Sequence, residues 1–239
     1  MREEITVVIP TSPIPIHPST EIIERAIDSI QHHLPDSKIL VLADGVRPEV
    51  EHRREQYREY CGALLNLLNF KYKNGKFCIF GKHLQQAGML KAAMWLIETP
   101  LLMFFEHDAT LDDKPINWIA IQNMLLSGVA NTIRLYWHET IHPEHAHLFG
   151  ERIGDFVKTT QWSSWPHISR KVFYERILQD HFAVDDCKMT ETVLYSPVLE
   201  SPWEDFKTWA YIPQPDGIRF HHLDARRDPK TGEKDPGNW

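Results

Sequence analysis

Glu106 and Asp108 stand two residues apart, directly after the apolar run Leu101-Leu102-Met103-Phe104-Phe105. In an extended chain, residues at i and i+2 project to one side, so these carboxylates converge at one spot. Convergent carboxylates repel unless a cation or a proton lies between them. Hard oxygen ligands of this kind suit magnesium or manganese shared with phosphate oxygens. The plainer alternative is a solvated acidic turn closing a core strand. His107, between the two acids, points away from them. Two other strand-like runs also end in polar residues: Ile5 to Ile9 leads into Pro10-Thr11-Ser12, and Lys38 to Ala43 leads into Asp44-Gly45. Open α/β sheets bind ligands beyond the carboxyl ends of their strands, which is where all three polar groups fall.

The elements that must position these residues are legible from periodicity. Ile5-Thr6-Val7-Val8-Ile9 is a β-branched run stopped by Pro10, as expected of a buried strand. Ser19 or Thr20 caps a helix over Glu21 to His33, whose Ile22, Ile23, Ala26, Ile27 and Ile30 follow helical spacing. Lys38 to Ala43 is a second buried strand, and strand, helix and strand in about forty residues make a βαβ unit with a parallel sheet. Further on, Glu49 to Asn66 reads as a charged helix, Lys76 to Phe80 as a strand and Gln85 to Ile97 as a helix. Leu101 to Phe105 is a strand, Ile116 to Leu126 a helix and Thr132 to Tyr136 a strand. Beyond that the chain is richer in aromatics, histidines and irregular segments, and the tail from Arg226 to Trp239 is polar and rich in Pro and Gly, hence extended or disordered.

Composition narrows the function classes. A net charge of -7 over 239 residues gives no global positive field for non-specific nucleic-acid binding. Three scattered cysteines, Cys61, Cys78 and Cys187, suggest neither a disulfide framework nor a cysteine-based zinc site. The N-terminus lacks the apolar core of a signal peptide, and the longest apolar runs are too short to span a bilayer. A cytoplasmic protein without a membrane span is the expectation.

The order of these features resembles the GT-A glycosyltransferases, in particular the inverting family 2. There a first strand ends in a Pro-Thr turn, as Val7-Val8-Ile9-Pro10-Thr11 does, and a second ends in an acidic residue, as Ile39-Leu40-Val41-Leu42-Ala43-Asp44-Gly45 does. A small-residue helix start follows, matched by Gln86-Ala87-Gly88-Met89-Leu90-Lys91-Ala92-Ala93, and then a hydrophobic strand delivers an Asp-x-Asp metal motif, here Glu106-His107-Asp108. The departures are Glu for the first Asp and Gln86 for the usual Asn. The resemblance covers roughly the first 115 residues. It implies a mostly parallel α/β sheet flanked by helices, with 1–115 as the nucleotide-sugar half and 116–225 as a more irregular acceptor and catalytic half of one domain. It also implies a UDP-sugar donor and Mn2+ or Mg2+. Pro10 and Thr11 would meet the nucleoside, Asp44 the base, Gly88 and Lys91 the diphosphate, Glu106 the ribose or metal, and Asp108 the metal. For Asp44 an ordinary Asp-Gly turn, and for Gly88 close helix packing, are the plain alternatives.

In the second half, the Trp-rich segment Gln161-Trp162-Ser163-Ser164-Trp165 resembles one that precedes a small helix in the family, with Trp162 and Trp165 facing the acceptor. The alternative for both is core packing. The family's general base is an acid, and Glu191 is the first choice, ahead of Asp186 and Asp185; each could instead cap a helix. Phe220-His221-His222-Leu223-Asp224 supplies a late histidine for the metal shell, His222 or His221. The acceptor is a glycan or another hydroxyl, with a hydroxymethylated DNA base the less favoured reading. Two rival functions stand beside this one: a nucleotidyltransferase, although residues 10 to 20 have prolines and no glycine-rich loop, and a non-catalytic nucleotide-sugar-binding module.

Overall fold

A computed structural model describes residues 4–72, 75–183 and 186–223; Asp185 and the tail from Arg226 lie outside the described residues. Strands β1 (Ile5–Thr11) and β2 (Lys38–Ala43) flank helix α1 (Glu21–His33), at the bounds periodicity predicts for α1 and β2. A 3-10 turn over Pro48–Arg53 precedes α2 (Arg54–Phe70). The charged helix therefore starts later than expected, because Pro48 opens a tight turn and Val50 takes a non-helical conformation. Strand β3 (Gly75–Ile79), helix α3 (Gln85–Ala93), strand β4 (Leu101–Phe104), short strand β5 (Ala109–Leu111), helix α4 (Trp118–Leu126) and strand β6 (Thr132–Leu135) follow. The second half adds β7 (Phe149–Ile153), β8 (Phe156–Thr159), β9 (His167–Arg170), α5 (Lys171–His181), α6 (Thr190–Glu200), α7 (Trp203–Phe206), β10 (Thr208–Tyr211) and β11 (Phe220–His222).

One nine-stranded sheet runs through both halves in the order β3-β2-β1-β4-β9-β6-β10-β8-β7. The strands from β3 to β4 are parallel, as the βαβ pattern demands. Beyond β4 the sheet is mixed: β9 pairs antiparallel with both β4 and β6, and β8 antiparallel with β10 and β7. The two-residue alternation of β1, β2 and β4 sorts the core into two layers. Val7, Ile9, Val41 and Met103 join α1, α2 and α4 on one face, while Val8, Leu40, Leu42, Leu102 and Phe104 join α3, α5 and α6 on the other. Strands covered on both faces read as continuous apolar runs, which is why β1, β2 and β4 are so apolar. Among the described residues, no helix is long and apolar enough to cross a membrane.

Two histidines are buried in these layers. His17 stacks on Tyr60 with ring centroids 3.8 Å apart, and burial, with lesser contributions from His107 and Arg53, pulls its pKa down to about 2. His167 lies between Phe104 and Tyr174, and burial pulls its pKa down to about 4, against a small opposing effect of the Trp165 carbonyl. Both are held neutral by the fold. Below pH 6.5 the unfolded chain binds protons that the folded chain refuses, so their contribution is present above that pH and lost as pH falls. The expected loss is about 2 kcal/mol per histidine at pH 5. Urea unfolding at pH 7.5 and pH 5.0 checks this: stability should drop, and His17→Phe should shrink the drop by about 2 kcal/mol. An unchanged pH dependence in that variant would contradict the assignment.

Candidate functional site

β4 ends at Phe104, and the Phe105 N–H donates to the Val8 carbonyl, so Glu106 to Asp108 emerge at the carboxyl edge of the sheet beside Pro10. The chain then enters β5, which pairs antiparallel with β11 in the register His222↔Ala109 and His221↔Thr110. The Leu223 N–H donates to the Asp108 carbonyl at 2.6 Å. This pairing brings His222 back over the acids: its Nε2 lies 3.6 Å from Glu106 Oε2 and 3.5 Å from Asp108 Oδ1. Ligand atoms of the three residues lie within 4.8 Å of one another. Ligands at about 2.1 Å from a shared ion, at right angles to each other, would be about 3 Å apart, so a small closure completes such a site. Burial, reinforced by the Asp108 charge and opposed by His222, pushes the Glu106 carboxyl above its usual range. An acid pushed up in this way gains from a cation between the two carboxylates. His221, one residue away, faces the other side and meets Asp112 Oδ2 at 2.7 Å. His107 turns from the triad toward the Pro10 carbonyl, 3.3 Å away, yet still lines the cleft.

That cleft, open to solvent, joins the three polar strand ends. Pro10, Thr11, Asp44, Glu106 and Asp108 all line it. Thr11 is buried, and its hydroxyl bonds to Tyr60 Oη at 3.1 Å. Asp44 accepts from four donors: the N–H groups of Gly45 (2.8 Å), Leu84 (2.7 Å) and Gln85 (3.0 Å), and His83 Nδ1 at 2.7 Å. A carboxylate has about four lone-pair positions, so Asp44 is fully engaged in holding the loop that opens α3. That loop is strained: Gln85 has φ of 59°, a left-handed conformation uncommon outside glycine. Gly45 is bound to the same loop by close approach, since a Cβ there would sit 2.2 Å from the Lys82 carbonyl carbon. Gly45→Ala is therefore expected to displace residues 82–85 and cost about 1–3 kcal/mol of stability. Chemical denaturation checks this, and a variant with wild-type stability would contradict the role of this contact.

The remaining expected residues divide. Gly88 does not face the cleft: a Cβ there would meet Leu84 Cβ at 3.0 Å and the Asp186 carbonyl at 3.4 Å, so its smallness serves helix packing. Lys91 donates to the Phe182 carbonyl at 2.7 Å and lies outside the cleft lining. Trp162, expected at the acceptor, is instead core, 2% exposed and packed against His167 and Tyr174. Trp165 is half-buried, with Trp137 at 5.0 Å and Phe220 at 6.0 Å between ring centroids. Glu191 opens α6 and accepts from the Ser164 N–H at 3.2 Å; the Ser164 hydroxyl in turn bonds to Gln86, a cleft residue. Asp186 is turned to its own loop, accepting from the Ala183 N–H at 2.9 Å and pairing with Lys188 at 3.1 Å, which hold its carboxyl below the usual range. The cleft also recruits His83, Gln85 and Met189, which carry no motif, together with Met89 of the helix-start motif.

No family model and no curated protein matches the sequence. Solved structures do. TarS 1–349 of S. aureus superposes with a TM-score of 0.57 at 10% identity, over 92% of this chain and 60% of that one. The mannosyltransferase PcManGT from Pyrobaculum calidifontis, in complex with GDP-Man and Mn2+, gives 0.56 at 13% identity over 97% and 59%. GalNAc-T7 with UDP, GalNAc and Mn2+ gives 0.59 at 9% identity over 92% and 44%. This chain has the GT-A fold. It spans about 60% or less of the length of these three structures. At such identities the likeness carries the GT-A fold alone; the roles of individual residues rest on the geometry above.

Proposed function

We propose that this chain is an inverting glycosyltransferase that moves a sugar from a UDP-sugar to a hydroxyl acceptor with Mn2+ or Mg2+. The observation that carries the reading is the convergence of Glu106, Asp108 and His222 at one end of a cleft whose floor is Pro10, Thr11 and Asp44. That it lies in a GT-A fold shared with structures holding nucleotides and Mn2+ supports it. Two carboxylates and an imidazole are a donor set that suits manganese or magnesium. Asp108 is the principal ligand, with His222 completing the shell and Glu106 auxiliary. The bound cation would neutralise the diphosphate as it leaves.

The protein's own groups supply the rest. Three of the four donors on Asp44 are main-chain N–H groups; the fourth, His83, is half-buried at the cleft. A uracil N–H takes the lone pair that His83 holds, so Asp44 both shapes the loop and reads the base. Glu191 takes the proton from the acceptor hydroxyl as that oxygen attacks the anomeric carbon opposite the departing UDP. Its helix start adjoins Met189 and, through Ser164, Gln86 on the cleft wall, whereas the Asp186 carboxylate is already engaged. Gly88 and Lys91 are left to packing. Residues 1–115 thus bind the donor, and 116–225 the acceptor.

Incubation with a panel of UDP-sugars, with Mn2+ and with or without saccharide acceptors, tests the reading. Release of UDP that chelation abolishes is the expected result. Tight UDP binding with no turnover on any acceptor would favour a binding module, and release of pyrophosphate a nucleotidyltransferase.

A further inference from the structure

The segment that follows β6 carries a series of rings outside the donor cleft. Ring centroids are 5.0 Å apart for Trp165 and Trp137, 4.5 Å for Trp137 and His138, 5.7 Å for His138 and His142, and 5.8 Å for His142 and His145. Trp137 is 40% exposed, an unusual placement for so large an apolar ring, and His145 is exposed as well.

The series begins next to the triad. The Arg219 N–H donates to the Tyr136 carbonyl and the Gly217 N–H to the Glu139 carbonyl, both at 2.8 Å. The same strand continues through Phe220, packed on Trp165, to His222. A Cβ at Gly217 would lie 2.7 Å from the His138 carbonyl oxygen, so the ring-bearing loop is seated directly on the segment that delivers His222.

Rings in series recognise flat or ring-shaped partners, such as sugars or nucleobases. Charge separates the two. Residues 137 to 148 contain Glu139, Glu144 and four histidines, and no lysine or arginine. Burial, with His142 and His145 adding to it, lowers the His138 pKa, which keeps that ring uncharged at neutral pH. Arg134, whose guanidinium packs over Trp165, Tyr136 and Phe149, is itself buried. A single-stranded nucleic acid needs a cationic groove beside its stacking rings, and this loop offers carboxylates instead.

We infer that Trp165, Trp137, His138, His142 and His145 form a track for an extended saccharide acceptor, aligning several consecutive sugar residues while the terminal hydroxyl reaches the Glu191 side of the cleft. The inference rests on the glycosyltransferase reading and adds to it that the acceptor is an oligosaccharide, not a monosaccharide or a nucleic acid. The test is binding of the full chain to an array of linear oligosaccharides of graded length and varied linkage, followed by calorimetry with the best series. Affinity should rise about tenfold from disaccharide to tetrasaccharide. Trp137→Ala should lose about tenfold for the tetrasaccharide, with Trp137→Phe retaining most of it and thermal unfolding reporting on the fold. Length-independent binding across the array overturns the inference. So does a Trp137→Ala variant, folded as wild type, with wild-type tetrasaccharide affinity. Tighter binding of a ten-nucleotide single-stranded DNA than of any saccharide overturns it in favour of a nucleic-acid acceptor. If Trp137→Ala fails to fold, the length series and Trp137→Phe decide. Mn2+-dependent UDP binding by the wild type, measured separately, distinguishes the failures: its absence sinks the glycosyltransferase reading, and its presence without length dependence sinks only the track.

Discussion

Asp108→Asn should abolish Mn2+-dependent UDP binding and lower turnover by about a thousandfold, equivalent to about 4 kcal/mol of transition-state stabilisation. Asparagine keeps the shape and removes the charge. Asp108 is 6% exposed, and its main chain is clamped by the Leu223 N–H, so the fold around it should survive. In the variant Glu106 is the one carboxylate left in the triad, too little negative charge to hold a divalent ion against the diphosphate. His222→Ala should show a milder form of the same defect, since it removes a neutral ligand and leaves both acids. UDP titration by calorimetry with and without Mn2+ measures these effects. Full metal-dependent binding in Asp108→Asn would move the cation elsewhere.

Glu191→Gln should separate chemistry from donor binding. A positioned general base contributes about a hundredfold to ten-thousandfold, and a loss of that size in turnover is expected with UDP affinity nearly unchanged. The separation follows from placement: Glu191 opens α6, accepts from the Ser164 N–H and is not among the residues lining the donor cleft, so its carboxylate is free of the donor and left to the acceptor side. Glutamine can still accept from the Ser164 N–H, so the wall stays in place while the proton acceptor is removed. Full activity in Glu191→Gln would pass the role to Asp186 or Asp185. Equal loss of donor affinity and turnover would instead make Glu191 a structural support.

The parallel half of the sheet was legible because its signals are local. Helix α1 shows one apolar stripe, Ile23, Ala26, Ile27 and Ile30, and the strands around it are unbroken apolar runs. The polar strand ends Thr11, Asp44 and Asp108 follow from the same pattern, and the cleft joins them. Long-range pairing was not legible. β9 is four residues, His167–Arg170, and becomes a central strand only by pairing between β4 and β6. The choice between His221 and His222 likewise depends on a register with β5 that lies 113 positions away in Ala109↔His222, written in no local motif. Gly88 and Lys91 illustrate a different limit. Glycine near a helix start suits an anion site or close packing equally, and α3 buries Gln86, Ala87, Met89 and Leu90 on more than one side, so periodicity does not reveal which turn meets the cleft. The structure turns Gln85, Gln86 and Met89 inward and sets Gly88 against Leu84 and Asp186.

A crystal of the protein grown with UDP and Mn2+, with anomalous diffraction used to locate the manganese, decides whether the triad holds the metal. One anomalous peak is expected between Asp108, His222 and the diphosphate, with ligand distances of about 2.1–2.3 Å and Glu106 bonded to it directly or through water. A peak remote from that triad, or UDP bound in the cleft of Asp44 and Thr11 with no manganese beside Asp108, would contradict it.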